Sequence, residues 1–133
     1  MDAPDLYRQQ SIETSSPAQL VAMLYHAAVA ATARAKTALS AGDATGAHAD
    51  LVRAQDIVHE LRVTLDHERG GDVAVSLASL YDWCYDQLVL ANTSKSPVPL
   101  TSVESVLMQL AGSWDEMLVG ELHESGSGAM AVG

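Results

Sequence analysis

The chain has 133 residues, 48% of them apolar and 18% charged, which is enough for one domain with one hydrophobic core and too few for two ordinary domains. Seventeen acids against seven bases give a formal charge of −10, so phosphate backbones and anionic lipid surfaces are repelled and nucleic acid is a poor partner. A single cysteine, Cys84, excludes an internal disulfide framework; the start of the chain has no basic, apolar leader, and the longest apolar stretch is too short to insert in a membrane, so the expectation is a cytosolic protein.

Twenty-one alanines and no phenylalanine favour closely packed helices over a β sandwich. Residues 1–15 are polar and carry isolated large apolar groups at Leu6, Tyr7 and Ile12, which fit either a flexible tail or a segment that folds back over a groove. Ser16-Pro17-Ala18-Gln19 then reads as a capped helix start, with proline in the first turn and Gln19 placed for a capping box. Leu20, Met23/Leu24, Ala27, Ala31, Ala35 and Leu39 follow at helical spacing until Ala41-Gly42.

Asp43 is a cap for a second helix, on which Ala47, Leu51, Ala54, Val58, Leu61 and Leu65 form a heptad-like seam that ends in His67-Glu68-Arg69-Gly70-Gly71. A third helix from about Asp72 carries Val73, Leu77, Leu80/Tyr81, Cys84, Leu88 and Ala91, and the Pro97/Pro99 connector closes it. The fourth, from about Thr101, carries Val103, Val106/Leu107, Leu110, Trp114 and Met117/Leu118. The expected fold is all-α, an antiparallel up-and-down four-helix bundle over residues 16–122, with an N-terminal segment at 1–15 and a flexible Gly/Ser-rich tail at 123–133. Residues 17–40 hold bases and no acid, whereas 98–122 hold acids and no base, which suits these two helices to being neighbours.

Nothing in the chain points to catalysis. It lacks a phosphate-binding glycine loop, a CxxC pair and a nucleophile elbow. The five histidines are not spaced as in a bundle metal centre, so neither metal nor cofactor is expected. Cys84 falls on an apolar stripe between Asp82 and Asp86, which suits a packed thiol rather than a reactive thiolate. Tyr81-Asp82-Trp83-Cys84-Tyr85 presents large side chains in two directions, as core plus cover or as an outward patch.

Taken in order, Tyr7, Ile12, Ser16-Pro17, Gln19-Leu20, Met23-Leu24-Tyr25, Ala54-Gln55-Asp56-Ile57, Gly70-Gly71, Leu77-Ala78-Ser79-Leu80-Tyr81-Asp82-Trp83, Ala91-Asn92 and Trp114 resemble the flagellin-specific export chaperones, the FliS family. His26 and Ala27 stand where that family usually has Asp and Gly. The resemblance implies a cytosolic chaperone, not an enzyme. Such a protein binds the disordered C-terminal segment of flagellin, prevents premature polymerisation and delivers the client to a component of the type III export gate. It further implies that Tyr7 and Ile12 belong to a lid over the groove, with Leu20, Met23, Leu24 and Tyr25 supporting the groove or its edge. A regulatory or structural adaptor acting as a homodimer is the alternative, and a weak homodimer of the free chain fits either reading.

Overall fold

The computed structural model describes the backbone of residues 16–132 and the side chains of residues 16–121. Four helices follow one another: α1 (Pro17–Ser40), α2 (Ala44–Val63), α3 (His67–Ser94) and α4 (Val98–Val132). α1 begins on the expected capping box. The Ser16 hydroxyl accepts from the Gln19 amide at 3.1 Å, and the Gln19 side chain accepts from the Ser16 amide at 2.9 Å. Gly42, at φ 78°, turns the chain out of α1, and the Asp43 carboxylate then accepts the Gly46 amide at 2.9 Å to start α2.

Connectors this short make consecutive helices antiparallel. Arg62 pairs with Asp82 and His48 with Asn92 across α2 and α3, so numbering rises on one helix as it falls on the other. Lys36–Glu104 at 3.4 Å and His26–Asp115 at 2.7 Å record the same opposed run between α1 and α4. Each helix thus packs on two others in a closed ring, α1 on α2, α2 on α3, α3 on α4, and α4 back on α1. The neighbour relation expected from the opposite charges of the first and last helices holds.

The core is a column of small and medium side chains. α1 supplies Tyr25, Ala28, Ala31, Ala35 and Leu39, and α2 supplies Leu51, Ala54, Val58 and Leu61. They meet Tyr81, Cys84, Leu88 and Ala91 from α3 and Leu100, Val103, Leu107 and Ala111 from α4. Alanines on α1 let its axis approach its neighbours, while each buried leucine contributes about 1.5–3 kcal/mol of transfer free energy.

Four boundaries differ from the sequence expectation. α2 ends at Val63 rather than running through Leu65, because the Asp66 carboxylate accepts the Arg69 amide at 3.1 Å and starts α3 early. α3 therefore begins at His67 and is broken at Gly71, where φ 50° and ψ −124° suit only glycine. Beyond that break Val73 is 66% exposed and Ala74 takes the core position instead. α4 starts at Val98, since a proline in the first turn costs no intrahelical hydrogen bond. Its backbone carries on past His123 to Val132, as an established helix propagates one bond per residue.

Candidate binding groove

α1 carries two adjacent apolar stripes, one buried in the core and the other packed on it only in part, through Leu24 and Ala27. Leu20, Met23, Leu24 and Ala27 share the second, with Leu20 36% and Met23 46% exposed. Together with Pro17, Val21 and the α2 residues Glu60 and Thr64 they line a groove of about 550 Å³. Past Leu24 and Glu60 it continues along α2 into a stretch of about 390 Å³ bounded by Ala49, Val52, Arg53, Asp56 and Ile57. In the other direction Val21 and Thr64 are shared with a cavity of about 560 Å³ at the end of the bundle. Val73, Leu77 and Met117 wall that cavity, and Tyr25, Tyr81 and Trp114 reach it from the core.

Three of the residues expected at the groove, Leu20, Met23 and Leu24, thus lie side by side on it. Tyr25, one position on and about 100° around the helix, turns inward and is 2% exposed. Its hydroxyl is hydrogen-bonded to that of Tyr81, and its ring tilts against Tyr81 and, at 6.1 Å, against Trp114. The Trp114 indole donates to the Ala18 carbonyl at 2.7 Å, fastening the first turn of α1 to α4. Tyr25 is therefore a core residue that lines the end cavity and not the groove. Tyr7 and Ile12 lie outside the described residues.

The electrostatics favour holding over reacting. Burial raises the pKa of Tyr25; burial, then the hydrogen bond with Tyr25, raises that of Tyr81; and burial pushes the Cys84 thiol up to about 11. All three stay protonated at neutral pH. Trp83 and Tyr85 stand partly exposed on the outside of α3, with Tyr85 beside His59, Arg62 and Asp82 rather than on the groove. The α2 wall went unread in the sequence, although Val52 and Ile57, large apolar residues off the heptad seam, were its signal.

The described residues form a four-helix bundle with an apolar groove along its α1/α2 flank. The family model for flagellar protein FliS matches residues 1–121. The flagellar secretion chaperone FliS of Salmonella typhimurium is 34% identical over 116 residues, covering 84% of this chain and 86% of that relative. FliS of Bacillus subtilis is 30% identical over 126 residues, covering 94% and 93%, and flagellar secretion chaperone FliSB of Pseudomonas aeruginosa is 32% identical, covering 86% and 94%. The chain belongs to the FliS family, a family of flagellar secretion chaperones rather than enzymes.

Proposed function

We propose that this chain is a cytosolic chaperone that binds the disordered C-terminal segment of flagellin along the α1/α2 groove. It keeps that segment from polymerising and yields it to the export apparatus. The observation that carries this reading is the row of exposed Leu20 and Met23 with half-buried Leu24 along an apolar groove of a family member. A disordered client loses about 2–5 kcal/mol or more on ordering. A groove that continues past both ends of this row gives it enough apolar surface to offset that cost. In this reading Tyr7 and Ile12 form a lid over the groove when no client is present, a role supported by the family resemblance and by Pro17, the first residue of α1, lining the groove.

Calorimetric titration with the C-terminal flagellin segment of the same genome tests the proposal. Saturable 1:1 binding with a large negative heat-capacity change is expected, and silence at tens of micromolar sinks it. Met23→Asp should weaken binding about tenfold or more, because it leaves a carboxylate desolvated against the client, while the helix signal by circular dichroism stays unchanged. Ile12→Asp should tighten apparent client affinity by emptying the groove of the lid, and a lost helix signal there would instead make Ile12 a core residue.

A further inference from the structure

The groove is edged by charges that form no ion pair among the described residues. Among the described residues, four of the six Lys and Arg side chains form an ion pair with a carboxylate: Arg34 with Asp50, Lys36 with Glu104, Arg62 with Asp82 and Arg69 with Asp66. Lys95, at the end of α3, donates to Asn92 instead. Arg53 takes no carboxylate among the described residues, although Asp56 is three positions on, and neither Asp56 nor Glu60 takes a cation there. These three residues sit at i, i+3 and i+7 on α2, exposed, and all line the same stretch of groove. Arg53 and Glu60 are about 10 Å apart along the helix axis. Asp56 lies between them on the helix, and Leu24, Val52 and Ile57 are the apolar walls of this stretch.

We propose that Arg53 and Glu60 set the direction and register of the bound segment, Glu60 pairing with a cationic side chain of the client and Arg53 with a carboxylate. This rests on the groove being the client site. The client's chemistry follows from the spacing: an apolar segment whose basic and acidic groups lie two turns apart if it is helical, or about three residues apart if it is extended. A segment laid in backwards meets like charges at both ends, so the row rejects it as well as favouring the correct one. The client also excludes water from the pairs it completes, which makes them stronger than the same pairs on a bare surface.

Titration of the full chain with the C-terminal flagellin peptide of the same genome, at low and at physiological salt, tests this. Glu60→Arg should weaken binding about tenfold with an unchanged thermal midpoint. Changing the peptide's basic residue to Glu should restore affinity to that variant and not to the wild type. Glu60→Gln and Arg53→Gln should each flatten the salt dependence. If the wild type binds and all of these variants stay within twofold of it, the charge assignment falls and the groove reading stands. Tighter binding by Glu60→Arg also overturns the assignment. If the wild-type chain does not bind the peptide, both readings fall.

Discussion

Leu24 and Tyr25 are neighbours in sequence with opposite tasks, one walling the groove and the other bonded to Tyr81 in the core. The tyrosine pair satisfies both hydroxyls where water has little access, so removing one partner strands the other. Tyr25→Phe should cost about 1 kcal/mol in urea unfolding, at the low end for such a loss because the end cavity adjoins the hydroxyls. The double variant with Tyr81→Phe should recover most of it, and a strictly additive pair would show that the hydroxyls act independently. The family resemblance grouped Tyr25 with Leu20, Met23 and Leu24 at the groove or its edge. Only rotation about the helix separates them, and two adjacent apolar stripes leave open which one faces inward.

At the scale of elements, the core face of α2 was legible, since its seam of Ala47, Leu51, Ala54, Val58 and Leu61 is buried as expected, but Leu65 lies past the helix end at Val63. α3 was misread at its start. Gly70-Gly71 resembles a helix stop, yet Asp66 caps a turn ahead of it and Gly71 alone carries the change of direction. Gly71→Ala should therefore destabilise the bundle by about 1–3 kcal/mol, the cost of forcing a side chain into that backbone region. The far end of α3 offers the opposite case. Lys95 holds a left-handed conformation at φ 55° and ψ 37° to close the helix, and Lys95→Gly should raise stability by about 0.5–1 kcal/mol. Chemical unfolding of both variants checks the signs, and a destabilised Lys95→Gly would mean that the bond from its ammonium to Asn92 outweighs the strain.

For the molecule as a whole, the buried protonated groups set an alkaline limit. The pKa of Cys84 rises from 9.0 to about 11 on folding, and those of Tyr25 and Tyr81 rise above 10.0. Above pH 9 the unfolded chain releases these protons first, so stability is full below about pH 9 and falls as pH rises towards 11 and beyond, by at most about 1.4 kcal/mol per pH unit for each group. Urea midpoints from pH 8 to 11 should follow this course, and Cys84→Ala should flatten the earlier part of the fall. A stability that rises over that range would contradict it. The closed ring also has a consequence in time. Its last seam joins the first helix to the final one, and the bond from Trp114 to Ala18 spans 96 positions of sequence. During synthesis α1 must wait, with one flank unpartnered, until α4 has left the ribosome. Closing so long a loop is the slow kind of event that contact order penalises. The indole of Trp114 is then a clock for the final step of folding, its emission settling only when the two ends of the bundle meet.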